Sequence, residues 1–403
     1  MAKNPNPIFG NSFIQGTSLD DDIFGSLDVD VIHAGAGNDI IWGDGRDSIT
    51  GLSPISGKVD IIYGEDGDDV IYGGNEAEDS INPAKDQLYG GAGNDYLFGE
   101  GGHDVLVGGI GDDSLNGGTG NDELYGDDGN DSLTGGRGND IIDGGSGYDT
   151  LYASGGSFTL TNNQLISNSL GTDTLTSIEA AFIIGGGGDD ILDASAFTGG
   201  GLAGARVTLF GSDGNDTIKG SSGNDNLQGG SGTDQIFGGA GNDEIYAGSN
   251  TQLTPDILVG GFGSDILVGS GGNNRLTGVD IIGLNRGFAE VDTLTGNGGN
   301  DVFVLGDTNA IYYNDGYMRA SGAVEGFAKI TDFNSGDKIE LKGSSSNYIL
   351  MSYSSNGISG TGIYAKLATG MGMMSTYNEL IGVVQNIAPT ALSLTSGSQF
   401  NYV

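Results

Sequence analysis

Cysteine is absent from this chain of 403 residues, which removes disulfides, thiolate metal sites and cysteine nucleophiles together. Histidine is nearly absent too. His33 and His103 lie 70 residues apart and read as surface positions within or beside repeats, not as a metal pair. Only six prolines accompany 80 glycines, with no period of three, so a collagen helix is excluded. No apolar run approaches the length of a bilayer, so no membrane span is expected. "MAKNPNPIFGNSF" lacks the apolar stretch of a secretory signal. Positive charge is scarce: 14 basic residues face 54 acidic ones, for a net charge of -40. So acidic a surface makes nucleic acid and anionic membranes poor partners. No H-E-x-x-H helix or G-x-S-x-G elbow occurs, leaving no visible zinc-protease or serine-hydrolase site. "GLSPISGKV" at Gly51–Val59 fails as a phosphate loop. Its glycines are one residue too far apart, and Val59 stands where a hydroxyl is required.

Glycine and aspartate fill the gap. Of the 54 acidic residues only 11 are Glu, leaving 43 Asp, a short arm suited to tight turns and oxygen cages. From Gly90 to Tyr152 the chain repeats in nines without a break. Asp95, Asp104, Asp113, Asp122, Asp131, Asp140 and Asp149 fall at position six of successive units. Leu97, Leu106, Leu115, Leu124, Leu133, Ile142 and Leu151 fall at position eight. Two residue classes held in phase this long mark a structural repeat. Degenerate copies place Asp39 and Asp69 earlier, and a further copy places Asp190 later. Four clean units from Gly211 to Tyr246 carry Asp216, Asp225, Asp234 and Asp243, and looser copies carry Asp265 and Asp301. At Gly269–Thr277 position six is Asn274, a turn expected to lack a charged ligand.

Within each unit GGxGxD is turn material, because glycine reaches backbone angles closed to other residues. The closing x-U-x triplet suits a short strand whose middle residue points inward and whose flanks point out. Two units make one coil, and coils stack as parallel strands about 4.8 Å apart. The predicted fold is all-β, a parallel β-roll in two blocks. Stacking also sets equivalent aspartates one strand spacing apart. Two such charges repel by about 0.9 kcal/mol in bulk water and roughly 3.5 kcal/mol at an effective dielectric of about 20. One aliphatic side chain per unit is a thin core to set against that. Carboxylate and carbonyl oxygens without a His or Cys cluster favour bound calcium ions over zinc or copper, and the tight octahedron of magnesium fits less well. The sixteen aspartates named above are the expected ligands. A metal-free Asp turn is the plainer reading of one copy, but not of so many in register.

"GGAGNDYLF", "GGTGNDELY" and "GGRGNDIID" resemble the RTX, or hemolysin-type, calcium-binding nonapeptide. The C-terminal "DVFVLGD" and "AKITDFNSGDKIELKG" are similar to segments that follow the roll in such proteins, particularly cyanobacterial-type exoproteins. The resemblance implies a calcium-loaded roll that folds outside the cell, after type I export on an uncleaved C-terminal signal.

The organisation expected is degenerate repeats over 1–33 and a first roll block over 34–152, with an insertion near 75–87. A Ser/Thr-rich β spacer without calcium turns is expected over 153–184, then a second block with insertions over 185–304. Residues 305–403 are expected to form a small β cap carrying the secretion signal. The charge shift agrees, at net -37 for 1–300 against -3 for 301–403. With no room left for a catalytic domain, the function expected is structural: a non-enzymatic calcium-binding protein of the cell surface or matrix that self-associates into a layer or filament. Alternatives are an adhesin in which 305–403 binds cell-surface polysaccharide and, third, an enzyme or toxin. Tyrosines of the last segment (Tyr312, Tyr313, Tyr317, Tyr348, Tyr353, Tyr364) read mainly as packing residues, and Met371–Met374 as core or contact surface.

Overall fold

The computed structural model describes residues 3–4, 7–9, 12–26, 28–44, 59–75, 85–199, 205–249, 254–280, 290–306, 310–313, 326–366, 378–395 and 397–403. Most of the insertion near 75–87, the stretch Gly51–Val59 up to its last residue, Tyr317 and Met371–Met374 lie outside them. By internal packing the chain divides into two compact units. The first comprises 1–183 with 197–205, the second 184–196 with 206–403.

In the first unit the clean repeats become strands Tyr96–Gly101, Val105–Ile110, Ser114–Thr119, Glu123–Asp128 and Ser132–Arg137. Each pairs in parallel with the strand two units away. Leu106 is opposite both Leu88 and Leu124, and Leu115 is opposite both Leu97 and Leu133. Two sheets therefore wind together as a roll, with the position-eight residues between them. Leu88, Leu97, Leu106, Leu124, Leu133, Ile142 and Leu151 are all fully buried, and their neighbours at positions seven and nine alternate outward. The predicted parallel β-roll is what the chain forms.

The strands are longer than the three-residue x-U-x segments expected. Most run six residues, as in Ser114–Thr119, because the pairing continues through the glycines: Gly109 lies opposite Gly91 and Gly118 opposite Gly136. The position-one glycine then faces inward beside the position-eight aliphatic, so the buried row has two members per unit.

Position nine carries a second regularity. Phe24, Trp42, Tyr72 and Phe98 stack face to face, with centroids 4.6, 5.8 and 5.0 Å apart. Such same-face aromatic neighbours add contact energy beyond burial of area.

Strands Phe158–Thr161, Gln164–Ser167 and Thr172–Thr176 break the parallel pattern with antiparallel pairings. This is the polarity-alternating stretch, free of Gly/Asp phase. The second unit repeats the roll: Leu209, Leu227 and Ile245 share one row, and Ile218, Ile236 and Leu258 the other. Its later strands, Tyr348–Ser355, Ile358–Lys366 and Asn378–Gln385, are antiparallel, and the last also pairs in parallel with Phe327–Ile330. Tyr312, Tyr313 and Tyr348 are buried, in keeping with packing roles.

Candidate metal centres along the turn edges

Each turn is shaped by glycines that no other residue replaces cheaply. Gly91 and Gly93, at positions two and four, have φ of +118° and +140°, in the region that favours glycine. At position one the reason is space. A Cβ on Gly117 would lie 2.5 Å from Oδ2 of Asp122 and 2.7 Å from the carbonyl oxygen of Gly135 in the next coil. The aspartate folds back over the bare glycine and is buried there; Asp122 is 1% exposed.

The stacked aspartates are wired together. The backbone N–H of each donates to Oδ1 of its equivalent one coil on. One row runs from Asp21 through Asp39, Asp69, Asp95, Asp113, Asp131 and Asp149 to Glu179, at 2.7–3.0 Å per step. The other runs from Asp30 through Asp60, Asp86, Asp104, Asp122 and Asp140 to Asp173. In the second unit Asp190, Asp216, Asp234 and Asp256 form one row, and Asp225, Asp243, Asp265 and Asp292 another. Asn274, Asp301 and Asp337 form a third. The structure thus brings the sixteen expected aspartates into these rows.

Sequence reasoning missed Asp21, Asp30, Asp60, Asp86, Asp173, Asp256, Asp292 and Asp337. Substituted glycines before Asp21 and Asp30, and insertions or altered leads before the others, erase the GGxGx signature, yet each keeps the triplet Asp-x-Ile or Asp-x-Leu. That triplet was the signal to search for, because the row needs only the aspartate and its inward neighbour.

One carboxylate oxygen is satisfied by this wiring and the other is not. Oδ2 of Asp39, Asp69, Asp95, Asp113, Asp122, Asp131, Asp149, Asp216, Asp234, Asp243, Asp265 and Asp301 is buried without a hydrogen-bond partner. Burial, opposed by the backbone N–H, raises these acids from 3.8 to about 7 for Asp113 and Asp122 and about 8 for Asp243 and Asp265. Neighbouring carboxylates add to the rise, Asp95 and Asp131 acting on Asp113.

Asn274 reports what surrounds that oxygen. Its Nδ2 replaces Oδ2 and donates to the carbonyls of Gly272 (2.9 Å), Gly296 (3.0 Å) and Ser270 (3.3 Å), and to Oδ1 of Asp301 (2.8 Å). A Cβ on Gly269 would lie 2.6 Å from this Nδ2 and 2.7 Å from the Gly296 oxygen, nearly the spacing found at Gly117. In the aspartate turns a charged oxygen therefore faces a carbonyl oxygen with no hydrogen between them. While the acid is ionised a bound cation reconciles such a pair, and hard oxygens without nitrogen or sulfur suit calcium. Among the described residues no three His, Asp or Glu side chains converge as a ready-made cage, so carbonyls must supply much of the shell.

Some turns close themselves. Where a Ser or Thr at position two stays outside the left-handed region, as at Thr17, Ser26 and Ser221, its N–H and hydroxyl turn onto the acid, whereas Ser212, with φ of +81°, leaves Oδ2 of Asp216 open. Thr17 donates both groups to Oδ2 of Asp21, and Ser26 does the same for Asp30. Ser221 donates its N–H to Oδ2 and its hydroxyl to Oδ1 of Asp225. The N–H of Gly186 meets Oδ2 of Asp190, and the Tyr313 hydroxyl meets Oδ2 of Asp292. The histidines serve elsewhere: His33 pairs with Glu65 and stacks on Tyr63, while His103 accepts from the Asn121 N–H.

The family model for the RTX calcium-binding nonapeptide repeat matches residues 15–49, 57–77, 82–115, 116–151, 182–198, 208–249, 254–279 and 287–310, more than half of the chain. No curated protein matches the chain.

Proposed function

Given that the chain belongs to the RTX calcium-binding nonapeptide-repeat family, we propose that it is a secreted structural protein of the cell surface or matrix, set in shape by calcium and built to associate with copies of itself. It binds several calcium ions, and proteins with these repeats are typically secreted. Type I export is the route consistent with the family. The observation that supports the structural reading is the interior: the position-eight residues are buried between the sheets along both units. Such an aliphatic-lined roll suits a rigid scaffold. Its ends present strand edges, which template association unless covered. Electron microscopy of the calcium-loaded protein should show ordered layers or filaments. Dispersed monomers at every concentration would remove self-assembly from the account.

The calcium ligands are the aspartates whose Oδ2 is open, joined by Asp104 and Asp140 in the same rows. Self-closed turns such as that of Asp225 take their two protein donors in place of an ion. Ser221→Gly removes the hydroxyl and frees position two to adopt the left-handed angle of its equivalents. The expected result is one additional calcium at saturation, counted by native mass spectrometry. An unchanged count in a folded variant contradicts this sorting of the turns.

A further inference from the structure

Position two is glycine in most units, and four acids replace it: Glu65 and Asp127 on one edge, Asp44 and Glu100 close together on the other. Glu100 holds a φ of +70° there. Asp44 follows Gly43 in the same place on the same edge. Gly74 lies opposite Glu100, and Trp42 lies opposite Tyr72. A Cβ on Gly43 would sit 2.5 Å from the Gly73 carbonyl oxygen, so Asp44 stacks over Gly74. One column therefore reads Asp44, Gly74, Glu100, two acids separated by a residue with no side chain. A third carboxylate borders the gap: a Cβ on Gly73 would lie 2.7 Å from Oδ2 of Asp86.

Asp44 is 3% exposed, and both its carboxylate oxygens are buried without a hydrogen-bond partner. Oε2 of Glu100 is buried without one as well. The charged groups that act most strongly on Asp44 are Asp86, Asp30 and Glu100, all acidic. Among the described residues the groups around Asp44 are carboxylates, and a buried carboxylate in such company stays ionised only beside a cation.

We propose that Asp44 and Glu100, together with Asp86 of the aspartate row, bind a divalent cation of the calcium class over Gly74, a site with two position-two carboxylates where Gly118 and Gly136 further along the edge supply none. Two acids from position two raise the charge of this site, and charge count sets calcium affinity over several decades. The side chains must rotate together on binding, since among the described residues no three acids already converge. Gly74 leaves the room for them. The site rests on the calcium reading of the roll and fills earlier than its neighbours.

Trp42, the single tryptophan of the chain, lies two residues from Asp44 and makes the site visible. Terbium takes the oxygen ligands of calcium and emits when a nearby indole is excited. Titrating the full chain with terbium under selective tryptophan excitation should give sensitised emission saturating early. In Asp44→Asn/Glu100→Gln the half-saturation point should move up roughly tenfold, while calcium still induces the β signal. Glu100→Gly, which restores the residue usual at position two, should fold normally and show part of the same shift. An unchanged titration in both variants overturns the proposal while leaving calcium-driven folding intact. A parent chain with neither terbium emission nor a calcium response contradicts the calcium reading instead.

Discussion

Chelating calcium at neutral pH should abolish most of the β signal in circular dichroism and expand the chain toward a coil. The expectation follows from numbers of like charges, not from any one contact. At least twelve buried Oδ2 atoms lack a hydrogen-bond donor, and their carboxylates stack at about the strand spacing. Each adjacent pair costs roughly 3.5 kcal/mol at an effective dielectric of about 20. Folded domains retain only about 5–15 kcal/mol of net stability. Restoring calcium should return the signal cooperatively, because each ion requires the neighbouring coil to be in place. Half-saturation belongs in the range of about 10⁻⁴–10⁻³ M used by extracellular calcium modules. In the same titration Asp122→Ala should loosen adjacent turns and leave distant coils responsive. Full β structure in excess EDTA at neutral pH would count against all of this.

Acidifying the metal-free chain should refold it. Asp113 and Asp122 are raised to about 7, and Asp243 and Asp265 to about 8, burial being the largest cause in each. Because the folded values exceed the unfolded value of 3.8, the folded state holds more protons than the coil between pH 4 and 8. Stability of the metal-free roll therefore falls as pH rises through that window and is greatest at its acid end. A proton on Oδ2 also supplies the missing donor toward the facing carbonyl. Calcium works in the opposite sense, since its ligands must be ionised. Circular dichroism with EDTA present should thus show β structure near pH 4 and coil near pH 8, with the reverse slope in calcium affinity. A metal-free chain that stays disordered at pH 4 would mean that carboxylate charge is not what holds it open.

The position-eight aliphatics and position-six aspartates of the clean run were readable from spacing alone, since each occupies one place in every unit and repetition fixes its role. Asp60 and Asp86 were not, because insertions precede them and a count in nines loses its place. The chain nevertheless re-enters the row in register, as only the triplet ending in Ile62 or Leu88 has to fit. Strand length was underestimated for a related reason: glycine reads as turn, yet Gly109 and Gly118 remain paired. Which aspartates close on themselves is also invisible to spacing. The difference between Asp225 and Asp243 lies in the backbone angle of the residue at position two, where Ser221 donates and Gly239 has a φ of +113°. Asp44 and Glu100 look like degenerate repeats until the register sets Gly74 between them.

The most direct measurement is a crystal structure of the calcium-loaded protein with anomalous scattering data. Density for an ion should appear beside Oδ2 of Asp113, Asp122 and Asp131, within 2.3–2.6 Å of carboxylate and turn carbonyl oxygens. Ordered coils with water alone, or with nothing, in those gaps would contradict the claim that divalent ions hold the acidic edges together.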